Sequence, residues 1–299
     1  MSSGPLVSVV MPYYEQGEFV LDAVRSVEGQ TYGNVEIILV DDCSPDNPAA
    51  DLLLWRGTPN LTVIRHDHNR GAAAARNTAV ASSKGEFILP LDADDLLSPH
   101  YLELTVPVLV CDPELGGVYT NVQRIGDNLR PQDVLWRPNC VLPDHLSGGG
   151  PNTFLYRRAV FDSAGGYKEH LRFAEDFDFW VSALERGWRF HHLEELLFFR
   201  RVHPGGKSNR KNWVDVMANL LREHGPLCRQ FADDLVAGEI AKYHDYVQAY
   251  TDLYRQYQDL VRLLESYEET YDAYMKGGAA GLAEAVPGGA MAPQASKVT

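Results

Sequence analysis

The chain has 299 residues, 45% of them hydrophobic and 23% charged, an ordinary composition for a globular protein. Its formal net charge of −14 lacks the basic footprint of nucleic-acid-binding proteins, so no nucleic-acid partner is expected, whereas a small anionic substrate remains compatible. Four cysteines without CxxC or CxH spacing argue against a zinc site and a disulfide framework. Without a long apolar run or a basic leader, we expect no transmembrane segment and a cytoplasmic location, with peripheral attachment to the inner face of the membrane left open.

The N-terminal part of the chain alternates between predicted strands and predicted helices. Short apolar runs rich in β-branched residues predict strands, and apolar residues at helical spacing predict helices. The strands are expected at 6–11, 35–40, 61–66 and 86–91, and the helices at 18–30, within 41–55 and at 69–83. This order predicts an α/β fold with a mainly parallel sheet, helices on both of its faces, and strands buried on both faces.

The middle of the chain is less regular. We expect a strand at 116–125, a polar loop at 126–151, and a strand, a short helix and a glycine turn at 152–167. A helix with an acidic start follows at 174–187, then one or two strands at 188–203 and a flexible basic loop at 204–212.

The C-terminal part changes to helix-forming residues from 212 to 276. Ten residues there recur at alternating steps of three and four, the spacing of a heptad seam. They are Tyr243, Tyr246, Tyr250, Leu253, Tyr257, Leu260, Leu264, Tyr267, Tyr271 and Tyr274. The seam predicts either an amphipathic helix lying on its own catalytic domain or a contact that forms a homodimer. We therefore expect a catalytic domain at 1–210, a helical region at 211–276 and a disordered tail at 277–299.

Polar residues follow each of the first four predicted strands, in "PYYEQGE", "DDCSPD", "HDHNRG" and "DADD". Ligands of open α/β sheets bind beyond the carboxyl ends of the strands, so these residues are expected at one edge. Asp92 and Asp94 are candidate ligands of Mg²⁺ or Mn²⁺, which prefer carboxylate oxygens; Asp95 is expected to be structural. The alternative is a solvated turn before a helix.

Three further motifs have functional and structural interpretations. Asp41 and Asp42 are candidate contacts of a base or ribose, or they form an Asx turn. Arg76, near a helix start, is a candidate phosphate contact or an ordinary surface arginine. Glu175 and Asp176, in a first helical turn, supply a candidate general base or complement the helix dipole. In "RRVHPGGKS", His203 is a candidate metal or phosphate contact, and Lys207 and Ser208 are candidates for closing over an anionic donor.

Taken together, these motifs resemble the family 2 glycosyltransferases, inverting enzymes with a GT-A fold. The resemblance covers roughly 6–208 and runs, in order, through "VSVVMPYYEQGEFVLDAVRSVEGQTYGNVEIILVDDCSPD", "NRGAAAARN", "LDADD", "GGGPNTFLYRRAVFDSAGGY" and "EDFDFW". One departure is Glu15, where the family often has asparagine. The absence of a QxxRW motif argues against a processive cellulose- or chitin-type polymerase.

The resemblance implies a role for each matching residue. Pro12, Tyr14, Asp42 and Arg76 would bind the nucleotide and its phosphates, with Asp41 supporting the loop. Asp92 would face the ribose or sugar, and Asp94, with Asp92 and His203, would hold Mn²⁺ or Mg²⁺. Asp176 would be the general base with Glu175 beside it. Gly149, Gly150 and Asn152 would shape the donor-sugar or acceptor side, and Lys207 would contact the donor.

The implied function is transfer of a sugar from a nucleotide-diphospho-sugar, with a UDP-sugar as the expected donor, to a hydroxyl of a glycan, lipid-linked or small-molecule acceptor. Such an enzyme would act in polysaccharide, glycolipid or other glycoconjugate biosynthesis. The alternative is an inactive nucleotide-sugar-binding protein. A Rossmann-type oxidoreductase is disfavoured because no GxGxxG motif follows the first strand.

Overall fold

The structure is a computed structural model that describes residues 4–17, 19–45, 60–126, 130–135, 153–171, 174–203 and 222–230, with eight positions between 255 and 266. The chain divides into two compact units, Met1–Val236 and Ala237–Thr299. Among the residues described, no helix is both long enough and apolar enough to cross a membrane. The predicted helix within 41–55, from residue 46 on, and the predicted tail at 277–299 lie outside the described residues.

The first unit is built on one mixed sheet. Its strands in chain order are β1 Val7–Tyr13, β2 Val35–Asp41, β3 Leu61–Arg65, β4 Phe87–Pro90, β5 Leu96–Leu97, β6 Leu115–Gly126, β7 Pro131–Leu135, β8 Leu155–Arg157 and β9 Arg189–Val202. In space they follow the order β3-β2-β1-β4-β8-β6-β9-β5, with β7 paired to β6. The first four strands run parallel, as predicted, whereas β8 is antiparallel to both β4 and β6.

The described helices are α1 Val20–Glu28, α2 Ala72–Ser82, α3 Tyr101–Cys111, α4 Arg158–Ala164, α5 Glu175–Glu185 and α6 Gly225–Gln230. Helices cover both faces of the sheet. Because side chains alternate along a strand, residues of one strand pack against helices on opposite faces. Val9 and Met11 of β1 pack in one core cluster with α1 and α3. Val10 packs in a second cluster with α2, α4 and α5. The prediction of helices on both faces is therefore confirmed.

Two expectations about the strands are wrong. Among the described strands only β2 pairs with β3, which is therefore an edge strand there, with Thr62 and Val63 exposed. Its apolar run in the sequence therefore does not mean burial on both faces. The segment 126–151 is not all loop, since β7 at Pro131–Leu135 pairs antiparallel with β6. β7 depends on backbone hydrogen bonds to β6, and the polar composition of the segment does not indicate such pairing.

All eight described positions of the second unit are helical, as the composition of the segment predicts. The ten residues of the predicted heptad seam lie outside the described residues. A homodimer through this seam therefore stays a prediction.

Candidate active site

A cavity of about 770 Å³ opens at the carboxyl ends of the parallel strands, where the sequence predicts a site. Nine of the predicted site residues line it: Pro12, Tyr14, Asp42, Arg76, Asp92, Asp94, Glu175, Asp176 and His203. They come from the ends of β1, β2, β4 and β9 and from the first turns of α2 and α5. Gly149, Gly150, Asn152, Lys207 and Ser208 lie outside the described residues.

Asp41 is buried, and it holds the turn beside the cavity together. Its Oδ1 accepts a hydrogen bond of 2.7 Å from the Ser44 backbone N–H, and its Oδ2 pairs with the Arg65 guanidinium. Arg65 also donates to the Ser44 carbonyl at 3.0 Å. Asp41 is thus engaged by its own loop and by Arg65 at the end of the neighbouring strand.

Asp42 is 3% exposed and organises the loop that enters α2. The backbone N–H groups of Arg70 and Gly71 donate to its two oxygens at 2.9 and 2.7 Å, and His66 Nδ1 lies 2.7 Å from Oδ1. Gly71 has φ +92°, a conformation that glycine adopts without a steric penalty, and it directly precedes α2. The carboxylate therefore fixes the backbone that forms this wall of the cavity.

Arg76 joins two carboxylates from distant parts of the chain. Its guanidinium lies 2.6 Å from both Asp92 Oδ1 and Glu175 Oε1, and its side chain is 7% exposed. Burial alone would lower the pKa of Arg76, but the charges of Asp92 and Glu175 outweigh it and raise that pKa. The cation thereby ties the strand end at β4 to the first turn of α5.

Asp92, Asp94 and Asp95 form a cluster in which one carboxylate oxygen of each lies within 4.8 Å of the others. His203 Nε2 is 3.1 Å from Asp94 Oδ2, and the Arg201 backbone N–H donates to Asp95 Oδ1 at 2.9 Å. Burial and the charge of Asp92 raise the pKa of Asp94, and burial with the charges of Asp94 and Asp92 raises that of Asp95. Crowded carboxylates beside an imidazole fit the donor preferences of Mn²⁺ or Mg²⁺, whose charge would relieve this repulsion.

α5 presents Glu175 and Asp176 to the cavity from its first turn. Ala174, the residue before the helix, has φ +62°, and this turn of the backbone directs both carboxylates toward the cavity side of the helix. Glu175 is engaged by Arg76, whereas Asp176 Oδ1 accepts a local hydrogen bond of 2.9 Å from the Phe177 backbone N–H. Asp176 contributes its carboxylate to the lining of the cavity.

A buried cluster fixes α5 from its other side. Asp178 Oδ1 lies 2.9 Å from both Lys168 Nζ and His224 Nε2, and His224 Nδ1 lies 2.8 Å from Glu185 Oε2. Burial opposes protonation of His224, but hydrogen bonds to Asp178 and Glu185 raise its pKa on balance. These contacts hold the helix that carries Asp176, and the acidic pattern of the helix in the sequence does not reveal them.

Three residues other than glycine have positive φ among the residues described; one of them lines the cavity, and the other two are next in sequence to residues that do. The three are Glu15 at +53°, Cys43 at +60° and Ala174 at +62°. The Glu15 backbone N–H donates to Ser44 Oγ at 2.8 Å, which ties the loop after β1 to the loop after β2. Such backbone conformations concentrate at functional sites. Glu15, the departure from the family pattern, thus occupies a constrained position.

The cavity wall also includes residues that sequence reasoning missed. Arg201 donates from Nε to the Asp94 carbonyl at 2.9 Å and pairs with Asp22 at 3.4 Å. Arg124 and Arg200 line the wall as well. The arginine doublet in "FFRRVH" was a visible signal for Arg200 and Arg201, whereas nothing local marks Arg124 within its strand.

Solved structures with the same architecture define the class of fold. TarS 1-349 of S. aureus, crystallised with UDP-GlcNAc, superposes with a TM-score of 0.63 at 22% identity, covering 77% of this chain and 71% of that one. The mannosyltransferase PcManGT of Pyrobaculum calidifontis, in complex with GDP-Man and Mn²⁺, gives a TM-score of 0.57 at 20% identity, covering 86% and 83%. At these identities the likeness shows the fold, which is the GT-A fold.

The sequence comparisons then give the family. The family described as Glycosyl transferase family 2 matches residues 8–165, and the chain belongs to this family. The putative colanic acid biosynthesis glycosyl transferase WcaA of Escherichia coli K12 is 36% identical over 211 residues, 66% of this chain and 74% of that protein. Protein y4gI of Sinorhizobium fredii is 32% identical over 222 residues, 70% of this chain, which spans only 24% of that relative.

Proposed function

We propose that the chain transfers a sugar from a nucleotide-diphospho-sugar to an acceptor hydroxyl with inversion at the anomeric carbon. The observation that carries the proposal is that Asp176 faces the same cavity as the carboxylate cluster after β4 and the Asp42 loop after β2. A nucleotide-sugar-binding protein needs the carboxylate cluster and the Asp42 loop, but it has no use for a carboxylate base. Membership of family 2 supports the assignment.

The expected donor is a UDP-sugar. TarS binds UDP-GlcNAc and PcManGT binds GDP-Man in their crystal structures, and both share this fold. Pro12 and Tyr14 would contact the nucleoside, and the loop fixed by Asp42 would approach it closely through Gly71. Arg76 would lie near the phosphates while holding Asp92 and Glu175.

Asp92 and Asp94 would hold a divalent cation, with His203 as a nitrogen ligand and with Asp95, for which the sequence predicts a structural role, added as a third carboxylate, because these four groups converge on one part of the cavity. A bound Mn²⁺ or Mg²⁺ supplies charge neutralisation for a leaving diphosphate. Arg201 supports this set, because its backbone N–H donates to the Asp95 side chain and its Nε–H donates to the Asp94 backbone carbonyl. These four groups are the proposed protein ligands of the cation, and the assignment calls on no residue outside the described parts of the chain.

Asp176 would act as the general base. Its carboxylate takes the proton of the acceptor hydroxyl, the hydroxyl oxygen forms a bond to the anomeric carbon, and the bond from that carbon to the diphosphate oxygen breaks. The nucleoside diphosphate leaves with the bonding electron pair. Glu175 does not compete for this role, because Arg76 engages it at 2.6 Å.

The Asp176→Asn variant tests this assignment. Asparagine keeps the shape of the side chain and the acceptor for the Phe177 N–H but accepts no proton, so transfer should fall at least about a hundredfold. Calorimetry should show unchanged UDP binding in the same variant. Asp162→Asn, at an exposed position of α4, is a matched carboxylate control. Near-normal turnover of the Asp176 variant would remove the residue as base, and wild-type protein that binds UDP without any transfer would favour the inactive binding protein.

We also propose the domain organisation that the sequence predicts, with a catalytic domain at 1–210, a helical region at 211–276 and a tail. A homodimer through the 243–274 seam belongs to this proposal. Sedimentation of the full chain would show a dimer, and replacing the seam tyrosines Tyr250 and Tyr257 with serine would shift the chain to a monomer.

A further inference from the structure

Two arginines lie side by side on the wall of the cavity. β6 and β9 are parallel neighbours, and their register places Arg124 opposite Arg200. Both residues line the cavity and are half-buried. Neighbouring strands are about 4.8 Å apart, so side chains in register emerge close together. Like charges in such a position repel each other, and the carboxylate of Asp95 already interacts with the charge of Arg200.

The other lining arginines have defined roles in holding the site together. These are three arginines, and each pairs with a described carboxylate. Arg70 pairs with Glu169 at 3.2 Å, Arg76 with Asp92 and Glu175 at 2.6 Å, and Arg201 with Asp22 at 3.4 Å. Arg124 and Arg200 also have interactions within the chain, so it is their shared position on the cavity wall that distinguishes them. Neither residue is adjacent in sequence to the other, and only the strand register brings them together.

The position of this pair separates it from the nucleotide side of the cavity. β1 and β2, which carry Tyr14 and Asp42 at their ends, lie on one side of β4 in the sheet, whereas β6 and β9 lie on the other. The aspartate cluster after β4 stands between the two sides. A donor that extends from the Asp42 loop to this cluster would leave the β6–β9 side for the second substrate.

Asp176 lines the same cavity as the arginine pair. α5, which carries Asp176 in its first turn, packs on β9 through Trp180 and Phe190, whose ring centroids are 4.1 Å apart. Trp180 also contacts Tyr119 of β6 edge to face at 6.0 Å. These aromatic contacts lie ten residues before Arg200 on β9 and five before Arg124 on β6, so it is the shared cavity that relates the candidate base to the arginine pair.

Building on the proposed function, we propose that Arg124 and Arg200 bind an anionic group of the acceptor, so that the substrate is an acidic hydroxyl compound rather than a neutral sugar. The planar guanidinium groups match the oxygens of phosphates and carboxylates and form charge-assisted hydrogen bonds with them. A phosphate ester and a uronic acid share this chemistry. The anion would anchor the acceptor, leaving its hydroxyl to reach Asp176.

Calorimetry on the full chain tests the proposal with four probes in two matched pairs, each titrated with and without saturating UDP and Mn²⁺. Glycerol phosphate is compared with glycerol, and methyl glucuronide with methyl glucoside. We expect at least one anion to bind wild-type protein while its neutral counterpart does not. Arg124→Gln and Arg200→Gln should each weaken that anion at least about tenfold. Arg186→Gln, an exposed arginine at the end of α5, should change nothing.

The two anions distinguish the source of the charge, because preference for glycerol phosphate indicates a phosphate-bearing acceptor and preference for the glucuronide indicates a uronate. Failure of both anions to bind wild-type protein, or equal binding by the glutamine variants, would overturn the proposal. A fall in UDP affinity in both glutamine variants would also overturn it, because the pair would then serve the donor. Absence of UDP binding in wild-type protein would instead contradict the proposed function, and the titrations without nucleotide would still test the arginine pair.

Discussion

The ends of β2 and β4 both carry neighbouring aspartates, but the protein surrounds the two sets in opposite ways. After β2, Asp41 and Asp42 accept hydrogen bonds from Ser44, Arg70 and Gly71 and pair with Arg65 and His66. After β4, three carboxylates crowd one another, and the pKa values of Asp94 and Asp95 are raised by burial and by their mutual charge.

This difference separates two uses of a carboxylate at a strand end. The β2 set is matched by donors of its own chain and sets the shape of a loop. In the β4 set Arg76 pairs with Asp92, yet burial and the neighbouring carboxylates still raise the pKa values of Asp94 and Asp95, which is typical of a site that receives a cation. In the sequence, "DDC" and "DADD" look alike as aspartates at a strand end. Only the hydrogen-bond donors that surround each set in the structure distinguish the two.

The largest expected effect on stability comes from Asp42→Ala. The change leaves the buried N–H groups of Arg70 and Gly71 and the His66 ring without their acceptor, so the free energy of unfolding should fall by about 3 kcal/mol. Urea denaturation measures this loss. Asp67→Ala, at an exposed aspartate two residues beyond β3, is the control and should leave the midpoint unchanged. An unaltered midpoint for Asp42→Ala would break the claim that this aspartate organises the loop.

A smaller effect of opposite sign is expected for Asp95→Asn in a metal-free buffer. Asparagine still accepts the Arg201 N–H but removes a buried charge that Asp94 and Asp92 repel, so the variant should be more stable by about 1 kcal/mol at neutral pH. Because the pKa of Asp95 is raised in the folded state, the penalty in wild-type protein grows as the pH rises through that pKa. The advantage of the variant should therefore vanish in acid.

Denaturation curves of both proteins between acidic and neutral pH, in EDTA, measure this dependence. Adding Mn²⁺ should stabilise wild-type protein more than the variant, since the variant has lost one negative ligand. A variant that is less stable than wild-type protein at neutral pH would show that the cluster is balanced within the chain, like the pair after β2.

The sequence predicts the parts of the site that depend on local pattern. Strands ending in polar residues, with helices between them, place Tyr14, Asp42, Asp94 and Asp176 at one edge, and the structure brings all four to one cavity. Periodicity is read within short windows, so the predicted elements agree closely with those observed. The ordered set of family motifs adds the roles that spacing alone leaves open.

The remaining features depend on contacts between distant residues. Arg76 reaches Glu175 across 99 positions of the chain, and Arg124 meets Arg200 only through strand register. The pairing of Asp41 with Arg65 is equally invisible as a pattern. No window of local sequence contains both partners of such a contact, so the tie across the site and the arginine pair emerge only from the three-dimensional arrangement.

Titration of UDP into wild-type and Asp94→Ala protein, each with Mn²⁺ and with EDTA, tests the proposed donor site most directly. Asp94 lies between Asp92 and His203 in the cluster, and its loss should remove the enhancement of UDP binding by Mn²⁺, which we expect to be at least about tenfold in wild-type protein. Wild-type protein in EDTA should then resemble the variant. Equal UDP affinities in all four titrations would contradict a metal-assisted donor site at the end of β4.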